Sequence, residues 1–141
     1  MLRVSLLALL GFALVEVAPA WAACAGADPA IASVAVKSVT ETNGINHYTL
    51  AVTVTNDGSQ AQTKDVLQFV DIYQVPGEKL DAKGVPPLQP GQSYTFTYVM
   101  MRSAESGNGT THLRFQLDMR QPSPGGAADC SGANDTSTLT F

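Results

Sequence analysis

His47-Tyr-Thr-Leu-Ala-Val-Thr-Val-Thr55 decides the fold class. Tyr48, Leu50, Val52 and Val54 fall on one side of an extended chain, and His47, Thr49, Ala51, Thr53 and Thr55 fall on the other. That is the period of two expected of a strand with one face on a core. Asn56-Asp57-Gly58 closes the stretch with turn residues, and the polar segment to Lys64 reads as a loop.

The same alternation recurs in both directions from this stretch. Upstream, Ile31 to Thr40 sets Val34 and Val36 against small and polar residues, and Asn43-Gly44 marks a turn into the second strand. Downstream, Ser93 to Met101 places Tyr94, Phe96, Tyr98 and Met100 inward. Leu113, Phe115, Leu117 and Met119 then alternate with His112, Arg114, Gln116 and Asp118, and Thr136 to Phe141 reads as a closing strand. Glu78 to Val85 reads either as a short edge strand or as an irregular crossover, with Pro76-Gly77 before it and Pro86-Pro87 after it. Nowhere is a helical period persuasive. Six to seven short antiparallel strands with regular turns predict an all-β, immunoglobulin-like Greek-key β-sandwich.

The first residues differ from the rest. Met1-Leu2-Arg3 gives a short positive start, Val4 to Val15 is apolar, and Ala20-Trp21-Ala22 carries small residues at the spacing read by a signal peptidase. The apolar run falls short of the roughly 20 residues of a spanning helix. Residues 1–22 are therefore expected to be a cleaved signal peptide and 23–141 a single domain, periplasmic or secreted, with no stable membrane span. The net charge of −4 includes no cluster of lysine or arginine, which argues against a nucleic-acid partner.

Cys24 and Cys130 are the chain's two cysteines, and an even count in an exported chain favours a disulfide between them. Closing so long a loop would remove on the order of 4–5 kcal/mol of unfolded-chain entropy in the chain-entropy account. A lipidated Cys24 is the rival reading. Against it, Trp21-Ala22-Ala23-Cys24 has tryptophan where lipidation sites usually carry leucine, and Cys130 would be left alone.

Several segments resemble the bacterial cell-adhesion-related immunoglobulin-like domains known as CARDB. They are Tyr48-Thr-Leu-Ala-Val-Thr-Val-Thr-Asn-Asp-Gly58, Phe69-Val-Asp-Ile-Tyr73, Pro87-Leu-Gln-Pro-Gly91 leading into Tyr94-Thr-Phe-Thr-Tyr98, and Asn134-Asp-Thr-Ser-Thr-Leu-Thr-Phe141. The resemblance covers roughly Ile31 to the end. It implies an extracytoplasmic module for binding or spacing rather than catalysis, and it carries no functional residues with it. The chain departs from that pattern in its leader and in its cysteine pair.

Catalytic and metal readings find little support. His47 and His112 both point away from the core by alternation and are expected in different sheets, so neither is assigned to a nucleophile. Met100, Met101, His112 and Met119 suggest soft-metal ligands, yet Met100 and Met119 share the parity of core residues. Asp28, Asp118, Asp129 and Asp135 match no calcium-loop spacing. No catalytic residue, metal ligand or cofactor is assigned.

The third strand, Val66 to Val75, carries apolar residues on both faces. If Val66, Val70 and Ile72 face the core, then Leu67, Phe69 and Tyr73 lie outside beside Asp71, flanked by His112, Arg114 and Gln116. Exposed aromatics clustered on a sheet mark a contact surface. The other reading open here is that a loop, 78–85, folds over them. The leading expectation is a non-enzymatic binding or structural module presenting a sheet face or loops to a protein or glycan. The alternative is an accessory subunit of an envelope or pilus-like assembly that acts by β-strand addition, with a small hydrolase as a distant third.

Overall fold

A computed structural model of the chain describes residues 25–121 and 130–141. Seven strands carry it: β1 (Pro29–Thr42), β2 (Ile45–Asn56), β3 (Leu67–Gln74), β4 (Glu78–Val85), β5 (Ser93–Ser103), β6 (His112–Gln121) and β7 (Thr136–Thr140). One 3-10 turn, Gly132–Asn134, precedes β7. The strands form two antiparallel sheets with orders β1-β2-β5 and β4-β3-β6-β7. Every strand anticipated from alternation is present; β1, β2, β5 and β6 run one or two residues past the anticipated ends, where backbone pairing continues past the apolar pattern, and β3 and β7 stop one residue short.

Asn43-Gly44 closes the β1–β2 hairpin with both residues in the left-handed region, at φ 53° and 74°. Two such residues make the turn whose twist matches that of the flanking strands, and Asn-Gly tolerates it best.

Tyr48, Leu50, Val52 and Val54 of β2 meet Val70 and Ile72 of β3 and Leu113, Phe115 and Leu117 of β6 in one apolar cluster closed by Val85 and Leu88. The central strands of the two sheets therefore supply its fully buried members apart from Leu88, which enters from the β4–β5 loop. On β5 the inward residues Tyr94, Phe96, Tyr98 and Met100 pack against that cluster but remain half-buried. β5 is an outer strand, and among the described residues only β2 pairs with it.

Glu78 to Val85 is not a loop laid over the third strand. It is the outer strand β4, paired with β3 from Gln68↔Val85 to Gln74↔Glu78, so it lies beside the aromatics and leaves their face open. The two histidines do fall in different sheets, His47 on β2 and His112 on β6.

One end of the sandwich is tied by a buried amide. Asn56, wholly buried, accepts from the backbone N–H of Asp28 (2.9 Å) and of Gly58 (3.0 Å) and donates to the carbonyls of Gln60 (2.8 Å) and Leu88 (3.0 Å). Behind it, the buried side chains of Gln62 and Gln68 exchange two hydrogen bonds of 2.9 and 2.8 Å. Gly58 is required here because a Cβ on it would strike the Gly26 carbonyl and the backbone of Ala27 and Asp28. The segment entering β1 is thus threaded against the turn that leaves β2.

Candidate functional site: the outer face of the four-stranded sheet

Residues paired across antiparallel strands share a face. Phe69 pairs with Asp118, Asp71 with Gln116, and Tyr73 with Arg114. From the other side Tyr73 pairs with Lys79. The structure therefore brings Phe69, Asp71, Tyr73, Arg114 and Gln116 together on the outside of the sheet. Leu67 stands at one end, 47% exposed. His112 stands at the other, its Nδ1 3.0 Å from the Thr140 hydroxyl.

Asp71 is the pivot. Its side chain is only 6% exposed, and its carboxylate bonds Lys79 Nζ of β4 at 2.7 Å and Arg120 of β6 at 2.9 Å. The Tyr73 hydroxyl donates to it at 3.4 Å. A carboxylate removed from water needs such partners, because an unpaired buried charge is strongly unfavourable. Sequence alternation places Asp71 on an open face; the structure buries it beneath its own cations.

The aromatics are likewise not bare. The Arg120 guanidinium lies 3.9 Å from the Phe69 ring centroid, and that of Arg114 lies 4.6 Å from the centroid of Tyr73. Both distances are within cation–π range, and both rings are half-buried. Arg120 also donates from Nε to Asp118 at 3.0 Å. The Asp118 hydrogen bond, with the charges of Asp71 and Asp118 behind it, raises the guanidinium above its ordinary pKa.

Arg114 differs. Among the described residues it has no carboxylate partner, and its Nε is buried without a hydrogen bond. With Lys79 and Arg120 matched by Asp71 and Asp118, the positive charge of Arg114 is the one left over at the centre of this face. Guanidinium planes stacked on aromatic rings combine apolar area with directed donors, the chemistry enriched in protein contact surfaces.

Lys79, Asp118 and Arg120 were not assigned to this face from the sequence. Asp118 and Arg120 continue the period of two from His112, Arg114 and Gln116, so their signal was present. Lys79 requires knowing that β4 pairs with β3.

Elsewhere the structure supplies little chemistry. The His112–Thr140 pair is exposed on adjacent strands, with no carboxylate holding the other ring nitrogen among the described residues. No group of three or more potential metal ligands occurs among the described residues. Met100 packs against the core and Met101 is 63% exposed, so they do not converge. No helix among the described residues is long and apolar enough to cross a membrane. Cys24, Asp129 and residues 1–22, expected to be a signal peptide, lie outside the described residues.

No protein family, curated protein or solved structure matches the chain.

Proposed function

We propose that the chain is an exported, non-enzymatic binding module that presents the outer face of its four-stranded sheet to a protein or glycan. The observation that carries the reading is Arg114, stacked on Tyr73 with its Nε unmatched, at the centre of a face whose other charges are paired. A carboxylate on the partner would match the charge of Arg114, and Tyr73, Phe69 and Leu67 would supply apolar contact around that anchor.

The strand order β1-β2-β5 against β4-β3-β6-β7 supports an immunoglobulin-like Greek key, and the CARDB-type reading draws its support from the sequence resemblance. The Met1–Ala22 pattern supports export to the periplasm or beyond. For the Cys24–Cys130 disulfide the support is local geometry. Asp28 accepts from the backbone N–H of Ser131 at 3.1 Å and from the Asn134 amide at 3.3 Å, which draws the entry to β1 against the residue following Cys130. No described cysteine is free.

Capture from envelope extracts of the host tests the function. Arg114→Ala and Tyr73→Ser, both verified as folded by circular dichroism, are expected to lose most of what the unaltered protein retains. Retention of the same material by both folded variants sinks the reading. The second reading, strand addition in an envelope assembly, draws its support from β5, an outer strand free of proline and of register shifts.

A further inference from the structure

Sheet edges display unpaired N–H and C=O groups, and proteins protect them with bulges, charges, proline or shortness. Three of the four edges here are protected. β1 has register shifts between Ile31 and Ser33 and between Val36 and Ser38. β4 has a shift opposite Ile72/Tyr73 and turns Asp81 and Lys83 toward the core side, where they pair with Ile72 and Val70. β7 is only 5 residues long. β5 has none of these devices. Its 11 residues pair with β2 without interruption from Thr55↔Ser93 to Ile45↔Ser103, and Arg102 is its only charge.

Its side chains are equally unfinished. Tyr94, Phe96, Tyr98 and Met100 face the core yet are half-buried, while Val99 and Met101 on the other side are 51% and 63% exposed. An extended strand laid along β5 would satisfy the backbone and extend the core over those aromatics together.

We infer that β5 pairs antiparallel with β5 of a second copy of this chain, about a two-fold axis near Tyr98, giving one continuous six-stranded sheet. Self-complementarity selects this occupant. Centring on Tyr98 sets Phe96 against Met100, Thr97 against Val99 and Thr95 against Met101. Arg102 meets Tyr94, so no like charges face each other. Asp81 and Lys83 bond at 2.8 Å and lie close enough to Tyr98 to influence its ionisation. Each copy thus brings an internally matched Asp81–Lys83 pair near the axis, adding no net charge at the seam. Antiparallel pairing of one strand with itself is isologous and closes at two copies.

The inference shares its edge with the strand-addition reading but names a different partner, and it does not involve the Arg114 face. Sedimentation equilibrium of the protein, expressed with its full coding sequence, provides the test. The weight-average mass is expected to rise from monomer to dimer with concentration. Val99→Lys/Met101→Lys, with an unchanged circular dichroism spectrum, is expected to weaken association at least about tenfold. Mixing it with Val99→Glu/Met101→Glu is expected to restore a dimer, which a purely structural effect would not do. If a double variant fails to fold, Val99→Lys mixed with Val99→Glu reads the same effect, because each Val99 opposes Thr97 and is a diagonal neighbour of the other copy's Val99. A protein that stays monomeric into the millimolar range, or a dimer unaffected by folded Lys variants, overturns the inference. A monomer that binds a foreign extended peptide along β5 overturns it too, while leaving the strand-addition reading intact.

Discussion

Asn56 illustrates how one side chain can hold several segments. Both halves of its amide are used, with two hydrogen bonds accepted and two donated, and the residue is fully excluded from water. Alanine there would leave the N–H groups of Asp28 and Gly58 and the carbonyls of Gln60 and Leu88 without their partner. An unsatisfied buried polar group costs about 1–3 kcal/mol, and water entering the gap would offset part of the sum. Asn56→Ala is expected to destabilise the fold by roughly 2–4 kcal/mol in urea unfolding, against about 0.5 kcal/mol or less for an exposed control such as Gln89→Ala. In sequence Asn56 is legible as a turn residue, because Asn-Asp-Gly has turn chemistry. Its four partners are not, since two of them lie 28 and 32 residues away.

Among the strands, β3 is the one whose two faces do different work. Its inner face contributes Val70 and Ile72 to the core, and its outer face holds Asp71, which links Lys79 of β4 to Arg120 of β6 across β3. Since Lys79 and Arg120 are themselves about two-fifths exposed, solvent screens their side of the pairing. The effect of losing Asp71 should therefore be concentrated in the outer strand rather than spread through the fold. In Asp71→Ala the backbone amides of β4 are expected to exchange faster, measured by hydrogen–deuterium exchange, while those of β2 keep their protection. Equal acceleration in both strands would mean that Asp71 supports the whole sandwich. The apolar residues on both faces of this stretch marked it as unusual from the sequence. Whether its outer face was open or covered depended on where β4 lies, and a segment with Lys, Asp, Gly and no clean alternation does not reveal that by itself.

For the molecule as a whole, the proposed disulfide and the observed contacts act at the same end. Asp28 reaches Ser131 and Asn134, holding the entry to β1 against the segment that leads into β7 without a covalent bond. In the chain-entropy account a Cys24–Cys130 link would add on the order of 4–5 kcal/mol by restricting the unfolded state. The protein recovered from its host is expected to begin near residue 23 and to have an intact mass two hydrogens below that of the reduced chain. Reduction is expected to lower the melting temperature. Two free thiols, or a mass increased by lipid, would instead favour the other reading of Cys24.

The amino-acid sequence alone determined the strands that alternate cleanly and their inward faces, though not β4, because a period of two is a local property that each segment carries independently of its neighbours. HYTLAVTVT, SYTFTYVMM and the alternation from Leu113 to Met119 declare their apolar sides this way. Tertiary structure decided which strands became edges, that Asp71 is buried beneath Lys79 and Arg120, that arginines cover Phe69 and Tyr73, and that β5 leaves its aromatics half-covered. Those outcomes depend on pairing between residues far apart in the chain. Burial and charge compensation are properties of the assembled neighbours, and no single segment contains them.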